Sequence, residues 1–313
     1  MNRGFSEETA TIMTSSLSES TIRQYTTSLK LWWTFCDSRE VDPFVVCVQS
    51  LVQFLQLRYD EGASYSSLNT DRSAISILSP DGFGSKPELS RFFQGIYKLR
   101  PPKPRYDSTW DPHQVLEYLK TLYPLAELSL EHTTLKVIGL MALITAHRVQ
   151  TFASILLEDI KVAAEGIEIF IRAPIKTSGP KRLQPVLYVP FFKDHPELCA
   201  GSALQHYVRL TEPLRHNEAK LFISYTKPHS AVTAQTVSRW IKKVLSSSGV
   251  DVSRFSSHST RHSSTSASLR AGMNIETVRK AAGWTSNSET FAKFYNQPVI
   301  DKAAFANSVM NSI

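Results

Sequence analysis

The chain has 313 residues, 42% apolar and 20% charged, with three cysteines and a net charge of +7. That is enough for about two folded domains. The longest apolar run, Val137 to Ala146, falls far short of the roughly 20 residues that span a bilayer, and Cys36, Cys47 and Cys199 lack zinc spacing and leave one thiol unpaired in any disulfide scheme, which excludes a membrane-spanning protein, a zinc finger and a disulfide-stapled secreted module.

Met1 to Thr14 lacks the apolar core of a secretory signal, so an intracellular protein is expected, nuclear if the host is eukaryotic. The charge is unevenly placed. Residues 1–107 carry 12 Lys and Arg against 12 Asp and Glu, whereas residues 108–313 carry 23 against 16. A basic C-terminal two thirds suits a polyanionic partner, because phosphate neutralisation releases counterions.

In chain order, residues 1–15 are polar and are expected to be disordered. Residues 16–99 read as a small helical domain. Its first helix starts near Ser20 and carries a stripe of Ile22, Tyr25, Leu29, Trp32 and Cys36. The second runs from Phe44 to Tyr59, the third from Tyr65 to Leu78 and the fourth from Glu88 to Leu99, bounded by Asp-Pro, Glu-Gly and Ser-Pro steps. Trp32, Trp33, Phe92 and Phe93 are assigned to its core. Arg23, Lys30, Tyr65 and Arg72 fall off the stripe and are candidates for DNA phosphate contact, against simple solvation. Residues 100–107, with Arg100, Lys103 and Arg105 among three prolines, favour extended polyproline geometry and read as a stiff basic linker, suited to a protein that closes around a duplex or to any semi-rigid spacer.

The second domain, residues 108–298, opens with helices near Pro112 to Tyr123 and Leu130 to Thr145, the latter nearly all apolar and so buried. Ala146-His147-Arg148 follows it directly. A hairpin pairs Ile167 to Arg172 with Gln184 to Pro190 around a basic tip that holds Lys176 and Lys181. Helices at Ala203 to Leu214 and Ala234 to Gly249 flank a short strand, Lys220 to Ser224. A further helix contains His258 and Arg261, three residues apart and therefore on one face, with Ser256 or Ser257 as its cap and Gly272 as its left-handed stop. A short helix from Ile275 to about Ala282 is capped by Asn274 and closed by Gly283, just before Trp284. A third helix starts with a Ser286 to Glu289 capping box, carries Tyr295 and ends before Pro298. In the tail, residues 299–313, the stripe of Ala303, Phe305, Ala306, Val309, Met310 and Ile313 predicts a helix too short to stand alone, packing in cis or on a neighbouring protomer.

His, Arg, Trp and a late Tyr in this order resemble the C-terminus of the tyrosine recombinases, the phage-integrase-like DNA strand-transfer enzymes. Within them, Gly283-Trp284 and the Lys-Phe-Tyr-Asn ending look most like recombinases of eukaryotic mobile elements, Crypton or DIRS-like. The resemblance implies a mainly α fold with a small antiparallel β-sheet: a SAM-like core-binding domain followed by an α/β catalytic domain. It implies Arg148, at the end of the buried helix, and Arg261 as phosphate ligands, Lys176 on the hairpin as the acid with Lys181 as fallback, His258 as base, Trp284 as a phosphate donor or packing partner, and Tyr295 as nucleophile. Two departures stand out. Thr151 occupies the position, three after Arg148, where the family has an acidic residue, and Trp284 to Tyr295 spans eleven positions where about nine is usual.

These residue types suit the chemistry. Two arginines can donate paired N–H bonds to the oxygens of a phosphorane without a metal, a phenol with pKa near 10 needs a base, and a histidine can act as one. No cofactor is expected. The expected partners are double-stranded DNA and further copies of the chain, a tetramer on paired sites. His258 and His262 are four apart, but Ser259 stands where a zinc protease would have its glutamate. A type IB topoisomerase shares the chemistry, and a domesticated, catalytically inactive DNA-binding protein shares the fold.

Overall fold

Apolar side chains spaced by three and four residues organise the first of the chain's two compact units, Met1–Pro104 and Arg105–Ile313. The computed structural model describes residues 6–79, 82–102, 106, 108–176, 178–179 and 184–284. In the first unit these form α1 (Glu7–Thr14), α2 (Glu19–Asp37), α3 (Val48–Asp60), α4 (Tyr65–Ser76) and α5 (Pro87–Leu99). Trp32, Phe35, Phe54, Leu55, Leu68, Ile75, Leu89 and Phe93 make the core. Beside it, Ser28 donates to the buried Asp71 carboxylate at 2.6 Å, and Arg58 lies 3.6 Å from the other oxygen of Asp71.

Three expectations for this unit need correction. The segment read as disordered is helical from Glu7 to Thr14: Ser6 caps it and two glutamates face its positive end, although it buries no residue. Capping, not burial, makes that helix, and a reading based on polarity overlooks it. The second helix begins at Val48, because Cys47 and Ser50 form a reciprocal cap there, while Phe44 lies in the turn set by the Asp42 carboxylate. Trp33 is 53% exposed. One residue on from the buried Trp32, it is turned about 100° round the helix and packs edge-on against Phe44.

The second unit is built around α7 (Leu130–Thr145), of which almost every residue is buried. Packed about it are α6 (Pro112–Thr121), α9 (Ala200–Thr211), α10 (Ala234–Ser247) and α11 (Ser259–Arg270), with α8 (Val149–Ser154) against α10 and α12 (Ile275–Ala281) against α11. The sheet is antiparallel, β1 (Ile160–Val162), β2 (Gly166–Phe170) and β3 (Val186–Pro190) in that order, with Glu168 opposite Lys161 on one side and Tyr188 on the other. Ile167, Ile169, Leu187 and Val189 turn inward to the core. The expected strand at Lys220 to Ser224 is reduced to isolated bridges, Leu156 with Lys220 and Ile223 with Ala231. The chain is thus mainly α with a small antiparallel sheet. Among the described residues, no helix is long and apolar enough to cross a membrane.

The chain enters this unit through residues read as linker. Tyr106 is buried; its hydroxyl lies 2.7 Å from the Ser256 hydroxyl, and its ring meets Phe255 and the edge of His262. Trp110 donates its indole N–H to Ser259 at 2.8 Å, and its carbonyl accepts from Ser263 at 2.8 Å. Ser108 accepts from Arg254 at 2.8 Å. Tyr106, Ser108 and Trp110 are therefore strapped across the start of α11 and the loop before it.

Lys136, on α7, is fully buried, and its ammonium donates to the carbonyls of Leu119 at 2.7 Å and Glu197 at 2.6 Å. Burial pulls its pKa down from 10.5 to about 8. Lys136→Met should destabilise the protein by about 1–3 kcal/mol at pH 7, since two buried carbonyls lose their donor. Between about pH 8 and 10.5 the unfolded chain holds a proton that the folded one has shed, so the folded protein gains stability as pH rises. The gap between wild type and variant, read from urea unfolding, should widen over that window; a gap that narrows would contradict the burial.

Candidate active site

Three pieces of backbone meet at the C-terminal end of α7. The helix closes on Ala146, which has φ 49° and whose N–H reaches the Ala142 carbonyl. His147 follows, and Arg148 then starts α8. The second piece is the first turn of α11, and the third is the end of α12, where Gly283 has φ 71° and Trp284 N–H bonds the Arg279 carbonyl at 2.8 Å.

Arg261 joins all three. Its side chain is 1% exposed; Nη1 donates to the Ala146 carbonyl, Nη2 donates to Ala282 at 3.2 Å, and the guanidinium carbon sits 4.1 Å from the centre of the Trp284 ring. A buried guanidinium is tolerated only where its N–H groups find acceptors, and here helix-terminal carbonyls supply them. His258 immediately precedes α11, half-buried, with its carbonyl accepting the Arg261 backbone N–H at 3.3 Å. Its ring stands edge-on to His262, 6.1 Å away. The expected serine cap is not used: Ser256 bonds Tyr106, Ser257 bonds Ser238, and α11 starts without a side-chain cap. Strapping the preceding loop diverts both hydroxyls. The expected Asn274 cap, the left-handed Gly272 and the closure at Gly283 are all present.

Arg148 is half-buried, and among the described residues no hydrogen bond or ion pair engages its guanidinium. Thr151, three residues on, is buried and lies in α8. Lys176 is exposed in the turn between β2 and β3. That turn is held by Ser178, which accepts from the Ile175 N–H at 2.8 Å and donates to Gln184 at 2.9 Å, and at its foot by the ion pair of Arg172 with buried Asp159 at 2.7 Å.

Arg148, His258, Arg261 and Trp284 are therefore gathered where α7, α11 and α12 meet, while Lys176 belongs to a separate loop. Tyr295, the tail at 299–313, Lys103, Arg105 and Lys181 lie outside the described residues. In the first unit, Arg23 and Lys30 are exposed on α2. Arg72 lies over the Phe93 ring and Tyr65 packs against Phe93 and Tyr97, so both are engaged within the fold.

His147 is a residue of this site that sequence reasoning passed over. It is 6% exposed, and a Cβ built on Gly283 would come within 3.1 Å of its Cε1. Burial, then the charge of Arg261, and more weakly that of Arg148, hold its pKa down to about 4 against the opposing pull of the Ala281 backbone. The imidazole is neutral at physiological pH.

The sequence model described as the phage integrase family matches residues 112–299, and that of the phage integrase N-terminal SAM-like domain matches residues 10–78. Solved structures share the fold at low identity. One is a lambda integrase dimer bound to a COC′ core site, with TM-score 0.55 and 15% identity over 93% of this chain and 75% of that one. Another is the XerH site-specific recombinase bound to palindromic difH substrate, with TM-score 0.55 and 14% identity over 85% and 72%. A third is the Tn1549 transposon integrase in complex with transposon right end DNA, with TM-score 0.53 and 15% identity over 85% and 86%. No curated protein sequence matches the chain.

The depressed His147 pKa sets an acid limit. Between its ordinary 6.5 and about 4, the unfolded chain binds a proton that the folded chain refuses, so stability present above 6.5 is lost as the pH falls through 4. Wild type should lose on the order of 3 kcal/mol more than His147→Leu between pH 7 and 4. Parallel acid limbs for the two proteins in denaturant titrations would show that the imidazole is not buried in its neutral form.

Proposed function

The chain belongs to the phage integrase family, and on that premise we propose that it is an active site-specific DNA recombinase of a mobile element, cutting and rejoining double-stranded DNA through a 3′-phosphotyrosine. The observation that carries this reading is the gathering of Arg148, His258, Arg261 and Trp284 at one junction, with the Arg148 guanidinium in no hydrogen bond or ion pair among the described residues. Arg261, held by two carbonyls and the Trp284 face, and Arg148 would clamp the non-bridging oxygens of the scissile phosphate. Two guanidiniums can disperse the added charge of a phosphorane. Loss of either should slow cleavage on the order of 100 to 1000-fold.

In this reading Tyr295 attacks the phosphorus, His258 takes the phenolic proton, and Lys176, on its exposed turn, delivers a proton to the departing 5′ oxygen. The bond energy is conserved in the phosphotyrosine, so rejoining requires no nucleotide. Exchange between two duplexes cuts four strands, one tyrosine to each, which is the reason for a tetramer on paired sites. Arg23 and Lys30, together with Lys103, Arg105 and Lys181, are the cations offered to DNA phosphates.

A transposon integrase among the similar structures supports the mobile-element context. The narrower affiliation with eukaryotic elements rests on Gly283-Trp284 and the Lys-Phe-Tyr-Asn residues alone. Thr151, in place of an acid, favours a second reading, a DNA-binding protein that has lost catalysis.

A library of nicked duplexes with randomised cores, incubated with the protein in EDTA, separates the two. Wild type should yield a covalent, protease-sensitive DNA adduct, and Tyr295→Phe none at nearly unchanged affinity. DNA binding without any adduct from wild type would establish the second reading. Lys176→Ala should cut slowly but recover on DNA with a 5′ sulfur leaving group, which needs no proton; no recovery would move the acid elsewhere.

A further inference from the structure

If Arg148 binds phosphate, something must aim it, and the usual carboxylate is missing. Thr151 takes that position, and among the described residues no other group bonds the guanidinium. Within the described residues, what aims it is the backbone that projects it. That backbone is unusual: Ala146 is an alanine in the left-handed region, φ 49° and ψ 27°, a conformation that costs roughly 1–2 kcal/mol without glycine and persists only where surroundings enforce it.

Two side chains do so, in parallel. Arg261 donates to the carbonyl of Ala146 and to that of Ala282. His147 spans the same gap in the other direction: it projects from the turn and lies against Gly283 at the end of α12, where a Cβ would come within 3.1 Å of its ring. Its own N–H lies 3.4 Å from the Thr145 hydroxyl, completing the turn. Gly283 suits the imidazole, since φ 71° strains any residue that carries a Cβ and a Cβ there would crowd the ring at 3.1 Å. Trp284 comes next in the chain and carries the stacked Arg261.

We propose that His147 is the positioning residue of this site, taking the place of the carboxylate that Thr151 replaces by bracing the Ala146–Arg148 turn against Gly283 at the end of α12. A carboxylate would aim Arg148 by neutralising it. The neutral imidazole aims it through the backbone and leaves its full charge for phosphate. The proposal rests on the strand-cutting reading for its consequence, though not for its geometry.

The test uses the full chain, four single variants and one double variant. His147→Leu keeps the volume and removes the polar ring; His147→Asn and His147→Gln place an amide where Nδ1 or Nε2 stood; Arg148→Ala removes the aimed group. In hydrogen–deuterium exchange, His147→Leu should speed exchange of peptides covering 145–149 and 279–284, leave α9 and α10 unchanged, and be corrected by at least one amide variant. In the adduct assay, His147→Leu should slow the reaction on the order of 10 to 100-fold at unchanged DNA affinity. Placed in the Arg148→Ala background, it should add less than about threefold, because its effect passes through Arg148. Unchanged exchange, exchange raised throughout the unit, or multiplicative losses in the double variant would each overturn the assignment. A wild type that forms no adduct on any duplex sinks the strand-cutting reading instead, and the exchange result then decides the role of His147 alone.

Discussion

A guanidinium with almost no exposed surface is the constraint on which the second unit depends. Removing the Arg261 charge from water costs several kcal/mol unless acceptors replace the lost hydration. The protein supplies them where acceptors are already in excess, at the carbonyl ends of two helices. Ala146 at the end of α7 and Ala282 at the end of α12 would otherwise face an apolar interior with unmatched oxygens. One side chain thus resolves three problems of burial, and in doing so it fixes the distance between the turn that bears Arg148 and the loop that bears Trp284. Chemistry and folding draw on the same bonds here, so the site and the core of this unit are not separable.

The electrostatics follow from that arrangement. Positive charge gathers at a place where the imidazole between the arginines has been driven neutral. The polar partners of this junction among the described residues include helix-end carbonyls, an aromatic face and an imidazole. Carbonyl dipoles orient guanidiniums without cancelling their charge. On the proposed reading, guanidiniums held by carbonyl dipoles would attract a polyanion before any specific contact forms.

Much of this was legible in the sequence, for identifiable reasons. His258 and Arg261 could be placed together because three residues is nearly one helical turn, and α2, α4, α5 and α7 announced themselves through periodicity or continuous apolarity. Asn274, Gly272 and Gly283 marked helix ends because capping is local chemistry. What escaped was non-local. Nothing in Tyr106 distinguishes a linker residue from one packed against α11, nor does Trp110 announce a bond to α11 some 150 positions away, and a lone His147 in an apolar context carries no signal until Gly283 is seen against it. Three-residue β1 is too short to show alternation. The Trp32-Trp33 pair shows the limit of composition: adjacent identical side chains meet opposite environments because a helix turns 100° between them.

The strap at 106–110 bears on where this protein can be divided. The matched catalytic region begins at residue 112, yet the groups that hold the loop before His258 lie upstream of it: the Tyr106 hydroxyl, the Ser108 acceptor and the Trp110 indole and carbonyl. A fragment begun at the homology boundary would carry every residue assigned to the chemistry and still lack the clasp on the helix presenting two of them. In this chain the functional border lies several residues ahead of the evolutionary one. A fragment of the second unit, or a chimera that joins it to a foreign DNA-binding domain, has to keep residues 106–111 with the catalytic half.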